Sequence, residues 1–387
     1  MTMTTIFRQL EEHAQLDFSE ARMLPVAAYT DVDVLDAESE RIFANAWTCV
    51  GRTADLVTPG DYLTADLASA TGGHRSVIVL RNDDGEIAAF DNVCVHRCSA
   101  LVDGPGNATR ITCPYHAWSY RLDGQLVSAP FMNRSLEADG TPFDRNAHHL
   151  TPIRIETWQG FIYATQSSET PPLSPRLAGL TEVVARYRME GYVPVFNRVD
   201  EWDTNWKLLV ENFMDAYHIF KVHKNSFGAF GDSTAETTLH PGTDDFAFHV
   251  VEDSPDAEFG VADPSNTELD GAWRHSSVLA AVFPTHVMQL QPDWLWYLDI
   301  SPLGTGRVRI RWSVSVAPEV LAGRRVPSEY VDRVMTLLHL VNSEDLPIVE
   351  GIHRSLRRQD PVRGPFSYLE RNVYDFDRYI ARALARP

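Results

Sequence analysis

The sequence has little of what a disulfide-bonded or membrane-spanning protein needs. It contains four cysteines in 387 residues, too few and too clustered to cross-link a chain of this length. Its longest obvious apolar run, Val278 to Phe283, is far shorter than the ~20 residues of a membrane span. The start, MTMTTIFRQLEEHAQ, lacks a basic-then-apolar leader. These absences predict a cytoplasmic protein whose cysteines are ligands.

Positive charge is also scarce. The chain has 34 Lys and Arg against 53 Asp and Glu, a net charge of −19. Nucleic acids and anionic membranes bind clustered cations, so this balance argues against both as partners. A small molecule or another protein fits better, and the length of the chain favours two domains.

The pattern of turns and apolar runs divides the chain. Residues 1–46 form an N-terminal segment, 47–165 a small β domain and 176–387 a larger domain on which the first segment is expected to pack. In the β domain, Asn82-Asp83-Asp84-Gly85 and Asp123-Gly124 each separate two short apolar runs, which predicts β-hairpins. The stretch from Ser167 to Pro175 predicts a linker, because its prolines and small polar residues suit neither strand nor helix.

The larger domain combines strands with helices. Trp294–Ile300 and Arg307–Val316 predict strands of a sheet with one buried face, and a long helix from Glu329 to Leu356 is expected to cover it. The apolar positions that indicate this helix are Val331, Val334, Leu338, Val341, Ile348 and Ile352. Asp203 is the expected cap of an earlier helix, and the polar stretch Gly228–Gly271 is expected to be a loop over a binding site. The fold class is therefore α+β.

Two short segments in the β domain each pair a thiol with an imidazole. They read Cys94-x-His96 and Cys113-x-x-His116. A structural zinc site uses the same ligand types. The spacing, however, favours a [2Fe-2S] cluster with two cysteines on one iron and two histidines on the other.

A second group of metal-binding residues lies in the larger domain. Asp215 and His218 are expected one turn apart on a helix, but His223 can reach the same metal only if that helix bends or ends. Asp345 is the predicted third ligand, because it continues the apolar series of the long helix and a buried carboxylate there is costly unless it binds a metal. Pro347 is expected to kink the helix, and Glu344 is the competing ligand.

Together these motifs resemble the large (alpha) subunit of Rieske non-heme iron oxygenases, the aromatic ring-hydroxylating dioxygenase family. The likeness extends to Cys113-Pro-Tyr-His-Ala-Trp118, Trp158-Gln-Gly-Phe-Ile-Tyr163, Asn205-Trp-Lys and Glu211-Asn212. It implies a small all-β Rieske domain and a catalytic domain in which helices cover an antiparallel sheet.

The resemblance also assigns roles to residues. Cys94 and Cys113 would hold the inner iron of the cluster, and His96 and His116 the outer one. The residues His218, His223 and Asp345 would hold a mononuclear Fe(II) with positions open for O2, beside two catalytic residues, Asp215 and Asn212. Asp215 would bridge the two centres between neighbouring subunits of a homotrimer.

The implied activity is that of a terminal oxygenase component. It would use O2 to hydroxylate either an aromatic ring, in hydrocarbon catabolism, or a small quaternary amine, by monooxygenation or N-demethylation; the stretch Gly364–Phe376 looks like the amine-oxidising relatives. The chain shows no Gly-rich dinucleotide fingerprint, so electrons from NAD(P)H must come through a reductase, with or without a ferredoxin. The resemblance is compatible with an oxygenase that has a small β subunit and with one that lacks it. The rival hypothesis is an iron-sulfur electron-transfer or sensor protein without oxygenase chemistry.

Three further expectations concern the surroundings of these sites. Cys98 and Cys49 are expected to be buried small residues, although relatives commonly have glycine at the first position. Phe213, the strand Trp294–Tyr297 and the loop after His223 are expected to line the substrate pocket. Basic residues for docking an electron donor are Arg97, Arg110 and Arg121.

Overall fold

The computed structural model describes residues 3–68, 73–227, 237–257, 259–323, 327–358 and 362–385. The chain forms two compact units. One unit is Ala44–Pro171, and the other combines Met1–Phe43 with Pro172–Pro387. They are called the cluster unit and the catalytic unit below, and each is described by itself.

The cluster unit is built from short antiparallel strands. Its strands are β1 (Thr48–Arg52), β2 (Asp61–Ala68), β3 (His74–Arg81), β4 (Ile87–Asp91), β5 (Gly106–Asn107), β6 (Ile111–Thr112), β7 (Ser119–Tyr120), β8 (Leu126–Ser128), β9 (Arg154–Trp158) and β10 (Phe161–Thr165). They form three sheets in the orders β1-β10-β9, β4-β3-β2-β5 and β6-β7-β8. The two hairpins predicted from the sequence are confirmed, as β3–β4 and β7–β8.

Strand β3 separates two apolar cores of this unit. Val77 and Val79 belong to one core and Ile78 and Leu80 to the other. Successive side chains of a strand point to opposite faces, so four consecutive apolar residues serve both cores. The second core includes Cys94 and Cys113, which places the cysteine loops against packed hydrophobic residues.

The catalytic unit is organised on one seven-stranded antiparallel sheet, in the order β11-β17-β16-β15-β14-β13-β12. The strands are β11 (Val193–Trp202), β12 (Thr237–Leu239), β13 (Phe246–Glu252), β14 (Ser276–Val282), β15 (His286–Leu290), β16 (Trp294–Gly304) and β17 (Arg307–Val316). The strands predicted at Trp294 and Arg307 are confirmed. The segment Gly228–Gly271 contains β12 and β13, so its prediction as a loop is wrong for those residues.

Helices surround this sheet. They are α1 (Met3–His13), α2 (Ala27–Thr30), α3 (Val32–Arg41), α4 (Leu173–Arg176), α5 (Ala178–Val184), α6 (Trp206–Met214), α7 (Ile219–Val222), α8 (Pro318–Gly323), α9 (Pro327–Leu356) and α10 (Arg371–Ala385). Helix α10 contacts α1, α3, α6 and β13, which ties the two ends of the chain into one unit. The α+β class predicted from the sequence is confirmed. Among the helices of the described residues, we find none with both the length and the apolar character of a membrane span.

One predicted helix cap and one predicted linker need correction. Asn205, not Asp203, caps α6, since its side chain accepts the Lys207 backbone N–H at 3.0 Å. The expected linker is partly helical, because Leu173–Arg176 makes one turn; Pro175 is tolerated there since the first turn of a helix needs no backbone donor.

Helix α9 has 30 residues and includes Pro347. Its buried side is Tyr330, Val334, Leu338, Val341, Asp345, Val349, His353 and Leu356. Ile348 and Ile352 are exposed, 42% and 40%, so their expected packing on the sheet is wrong. The buried series advances by three or four residues and passes through Val349 and His353, one position after the two isoleucines.

Candidate metal centres and cavity

Two loops of the cluster unit have the same backbone plan. In the first, the Cys94 carbonyl accepts the Cys98 N–H at 2.9 Å, and in the second the Cys113 carbonyl accepts the Ala117 N–H at 3.0 Å. Cys98 and Ala117 both have a left-handed backbone, with φ of 56° and 57°. Each loop thereby turns back within five residues and aims one thiol and one imidazole in the same direction.

The expectation that Cys98 is buried is wrong, because it is exposed. Its left-handed backbone explains why glycine is favoured at such a position, since glycine alone adopts it without steric cost. Cys49 is buried, as expected.

The four candidate cluster ligands divide by depth. Cys94 and Cys113 are 1% and 3% exposed, whereas His96 is half-buried and His116 exposed. The two imidazoles meet edge to face with ring centroids 4.9 Å apart, and His96 stacks on Trp118 at 4.6 Å. Buried thiols with outward imidazoles match the inner and outer irons that the sequence predicts.

The donor set fits two metal ions better than one. Tetrahedral zinc brings all of its ligand atoms within about 4 Å of one another. In the described residues, no three ligand atoms of this set lie within 4.8 Å of each other, which leaves room for a two-iron cluster between the loops.

Hydrogen bonding also suits thiolate ligands. The Tyr120 hydroxyl lies 3.2 Å from Cys94 Sγ. Burial raises the pKa of both thiols; at Cys113 the backbone N–H groups of Tyr115 and His116 outweigh it and leave that pKa below its usual value, whereas at Cys94 burial prevails and the pKa is raised. The thiolate is the form that binds iron.

The second centre lies where helix α6 ends. Asp215 is the extended residue after α6, and His218 and His223 flank the four-residue helix α7. Asp215 and His218 therefore do not share one helix, contrary to the sequence prediction. The predicted helix ends before both histidines rather than between them, and the short helix α7 separates them, so both imidazoles can turn to one point.

Three acceptor atoms meet at that point. His218 Nε2 lies 3.1 Å from His223 Nε2, and Asp345 Oδ1 lies 3.5 Å and 3.2 Å from these two nitrogens. Ligands held about 2.1 Å from one ion would be separated by about 3.0 to 3.4 Å. Asp345 Oδ1 is buried without a hydrogen bond. A cation between the three atoms removes the repulsion of their lone pairs, so the site fits a metal ion.

A carboxylate lies at the outer nitrogen of each imidazole. Asp215 Oδ2 is 3.2 Å from His218 Nδ1, although the ring N–H is not aimed straight at it, and Glu344 Oε2 is 3.0 Å from His223 Nδ1. Ser226 Oγ also donates to Glu344 Oε2, at 2.6 Å. Acceptors at both Nδ1 atoms favour the tautomer whose Nε2 lone pair binds a metal. Of the two acids considered from sequence, Asp345 thus meets the inner nitrogens and Glu344 the outer one.

Electrostatics within this group are strongly coupled. Burial lowers the pKa of His218, but the neighbouring carboxylates of Asp215 and Asp345 outweigh it and raise the pKa to about 9. Burial raises the pKa of Asp345, and the two histidines reverse this to give about 2. These shifts keep Asp345 ionised and His218 protonated at neutral pH, so a metal that binds here would displace the proton from His218 Nε2.

A cavity of about 840 Å³, including its mouth, adjoins this segment of the catalytic unit. Its lining includes Asp215, Ala216 and Ile219, which neighbour His218 in sequence. The remaining lining comes mainly from strands and loops of the sheet: Phe227, Thr237, His249, Val251, Asp253, Ala257, Phe259, Ser277, Leu279, Gln289, Gln291, Trp294 and Leu337. The cavity is thus bounded by the metal-binding segment on one side and the sheet on the other.

The predicted pocket residues divide into two groups. Trp294 and the loop after His223, represented by Phe227, line the cavity as expected. Phe213 instead packs against Trp296, with ring centroids 5.4 Å apart, and lies outside the lining. Asn212 is half-buried at the end of α6, where its carbonyl accepts the Asp215 N–H, and its catalytic role stays a prediction.

The basic residues near the cluster loops are accessible. Arg97, Arg110 and Arg121 are exposed. Arg97 lies over the Tyr115 ring at 5.6 Å, and Arg121 Nε lies 3.7 Å from Asp123 Oδ2. One of the three charges is therefore partly balanced by an acidic neighbour, and their role in docking stays a prediction.

Comparison with known proteins agrees with these two centres. The family described as the ring hydroxylating alpha subunit (catalytic domain) matches residues 181–386, and the Rieske [2Fe-2S] domain matches residues 46–151. The carnitine monooxygenase oxygenase subunit of Escherichia coli K12 is 27% identical over 352 residues, covering 87% of this chain and 85% of that protein. The glycine betaine monooxygenase oxygenase subunit of Chromohalobacter salexigens is 35% identical over 202 residues, 52% of this chain and 43% of that protein.

Solved structures share the fold. A quaternary ammonium Rieske monooxygenase with L-carnitine superimposes with a TM-score of 0.78 at 22% identity, covering 96% of this chain and 98% of that one. Naphthalene 1,2-dioxygenase from Rhodococcus with indole gives 0.81 at 20% identity, covering 100% and 99%.

Proposed function

From the premise that this chain belongs to the ring-hydroxylating oxygenase alpha-subunit family, we propose that its cavity takes a small organic cation, oxidised beside an iron that His218, His223 and Asp345 hold. As a Rieske oxygenase subunit, the chain is an oxidoreductase that incorporates oxygen from O2 and receives electrons from a partner reductase. The family membership rules out the simple electron carrier considered from sequence. The convergence of three buried acceptor atoms next to the cavity carries the proposal.

The cluster would be held by Cys94, Cys113, His96 and His116. When bound, the cluster passes single electrons, and the mononuclear iron binds and activates O2. Asp215 and Glu344 orient the imidazoles by holding Nδ1, so that both Nε2 atoms stay aimed at one point. His223 and Asp345 side chains are 2% and 9% exposed, which limits water around the reacting atoms.

Two features of the lining support a cationic substrate. Phe227 and Trp294 are aromatic side chains of the lining, and aromatic rings attract alkylated ammonium groups by cation–π contact. Asp215 and Asp253 add carboxylates to the same lining. A neutral aromatic hydrocarbon would gain nothing from these charges. The amine-oxidising relatives named above act on carnitine and glycine betaine, which are also quaternary ammonium compounds.

The test removes one proposed iron ligand. His218→Ala should lower iron from three to two per chain, leave the reduced-state EPR signal of the cluster unchanged, and abolish oxygen uptake driven by quaternary amines and a surrogate reductase. His240→Phe is the matched control, because His240 stacks on Phe248 outside the cavity lining. Undiminished turnover with two irons in His218→Ala would overturn the proposal.

A further inference from the structure

One histidine of the sheet lies among the cavity residues. His249 is 2% exposed and pairs in register with Leu279 of β14, which in turn pairs with Gln289 of β15. These three neighbours on adjacent strands all line the cavity. No sequence motif surrounds His249, so the sequence alone predicts no role for it.

Asn372 on α10 fixes the protonation pattern of this imidazole. The Asn372 side-chain nitrogen donates to the His240 carbonyl at 3.0 Å, which settles the orientation of the amide. Its oxygen lies 3.1 Å from His249 Nδ1. An amide oxygen only accepts hydrogen bonds, so Nδ1 must carry the proton. In a neutral ring the Nε2 atom then has a free lone pair.

The ring is neutral at physiological pH. Burial lowers the pKa of His249 to about 4, outweighing the opposing effects of the Asn372 hydrogen bond and the Asp215 charge. Asn372 is itself fully buried, so water does not compete for either end of its amide. The tautomer is therefore set by the fold.

The charged side chains in the described lining of the cavity share one sign, and Arg333 lies over the ring of one lining residue, Phe259, at 5.5 Å. Asp215 and Asp253 belong to its lining, and none of its described lining residues is Lys or Arg. A carboxylate entering this space would lose its water and meet like charges in the lining.

We propose that His249 is a specificity-determining residue whose Nε2 accepts a hydrogen bond from a hydroxyl or N–H group of the substrate. The cavity thereby favours a small cation that carries such a donor and disfavours one that carries a carboxylate. This inference rests on the proposed function, since it takes the same cavity as the substrate site.

The experiment uses the holoenzyme and three quaternary ammonium probes of similar size. Choline has a hydroxyl donor, its O-methyl ether has none, and glycine betaine has a carboxylate. Dissociation constants are measured by calorimetry, and product formed per O2 consumed is measured with a surrogate reductase. Choline should bind about tenfold more tightly than its ether, because a lost hydrogen bond leaves a buried acceptor unpaired, and glycine betaine should bind more weakly still.

Variants then assign the preference to one side chain. His249→Phe should bind choline and its ether equally, and His249→Gln, whose amide oxygen still accepts, should restore part of the difference. His240→Phe is the control, because its unchanged backbone carbonyl still orients Asn372. If His249→Phe does not fold, His249→Gln and the wild type decide the outcome.

Three results would overturn the inference. They are equal binding of choline and its ether to the wild type, tighter binding of glycine betaine than of choline, and no binding of any probe. The proposed function fails separately, if the wild-type protein has iron only in its cluster. A protein with three irons per chain and no preference for the donor would keep the function and lose the inference.

Discussion

Asp215 and Glu344 play similar parts at the two histidines, but only Asp215 also lies in the cavity wall. An oriented imidazole presents its Nε2 lone pair to the metal without an entropic cost at each turnover. Asp215 follows directly after α6, and its side chain also accepts the Tyr217 N–H at 2.6 Å. The carboxylate is thus fixed by its own backbone before it contacts His218.

We predict that Asp215→Ala keeps both metals and loses most turnover, by about tenfold or more, since outer-sphere partners of metal ligands commonly matter to this extent. Asp215→Asn keeps an acceptor oxygen for His218 Nδ1 and should retain more activity. Metal analysis and substrate-driven oxygen uptake measure both effects. Normal turnover in Asp215→Ala would show that His218 needs no such partner.

Side chains of the site were predictable from sequence where they broke a pattern. Asp345 interrupts an apolar helical series, and the structure finds it buried with the two histidines. Glu344 was considered only as a rival ligand, because its contact with His223 Nδ1 depends on the rotation of α9. His249 and Ser226 gave no signal, since their roles arise from pairing between strands and loops distant in sequence.

At the scale of the element, hydrogen bonds from the Asn205 side chain connect the start of α6 to two other segments. Its side-chain oxygen caps the helix, while its nitrogen donates to the Tyr29 carbonyl at 3.0 Å and to the Thr305 carbonyl at 2.8 Å. Asn205 is 2% exposed. The helix that leads to Asp215 is therefore held at its first residue by α2 and by the turn after β16.

Asn205→Ala should lower the free energy of unfolding by about 2 to 3 kcal/mol, since a cap and two buried hydrogen bonds are lost together. Asn205→Asp separates the contributions, because it keeps the capping oxygen and loses both donors. Thermal or urea unfolding followed by circular dichroism measures the difference. Equal stability of the two variants would mean that the cap contributes nothing, and an Asn205→Asp variant as stable as the wild type would mean that the cap alone matters.

The elements themselves were predicted unevenly. β17 alternates polar and apolar residues from Arg307 to Val316, and β16 begins with a run of large apolar residues, so both strands were predicted. β12 and β13 lie among turn-forming and acidic residues, and the pairing of β13 with β14 and of β12 with β13, rather than local pattern, makes them strands. The error at Ile348 and Ile352 has a similar cause, because two overlapping apolar series on α9 differ by one residue and only the sheet decides which is buried.

At the scale of the whole molecule, buried charges join the N-terminal helices to the catalytic core. Lys207 Nζ and Glu38 Oε1 lie 2.5 Å apart, each about 1% exposed. The Tyr29 hydroxyl donates to Glu211 Oε1 at 2.8 Å, and the buried carboxyl group of Asp377 is a near neighbour of Glu211. Burial raises the pKa of Glu211 to about 7 against the opposing effects of Tyr29 and Lys207, and the pKa of Asp377 is also raised by burial and by Glu211.

This network predicts a pH dependence of stability. A carboxyl whose pKa rises from 4.5 in the unfolded chain to about 7 in the folded one stabilises fully below pH 4.5 and loses that contribution as pH rises through 7. Between pH 5 and 8 the wild type should lose on the order of 1 to 3 kcal/mol of its free energy of unfolding. Glu211→Gln, which still accepts from Tyr29, should not show this loss. Melting temperatures at the two pH values test this, with exposed Glu190→Gln as control. The same pH dependence in wild type and Glu211→Gln would contradict it.

The proposed trimer also has a direct test. If each cluster serves the iron of the adjacent subunit, His116→Ala and His218→Ala chains are inactive alone but complement each other when mixed and reassembled. Random assembly should give roughly a quarter of wild-type activity, because a working pair needs an intact cluster beside an intact iron site. Each variant reassembled with itself is the control. No recovery in mixed assemblies would place electron transfer within one chain.

The catalytic unit is interrupted in sequence by the cluster unit, and its last helix, α10, packs on its first, α1. During synthesis, Ala44–Pro171 leaves the ribosome as a whole while the residues from His218 onward are still untranslated. Units fold as they are completed, N-terminal first. The cysteine loops can thus fold before the residues of the second centre have been synthesised.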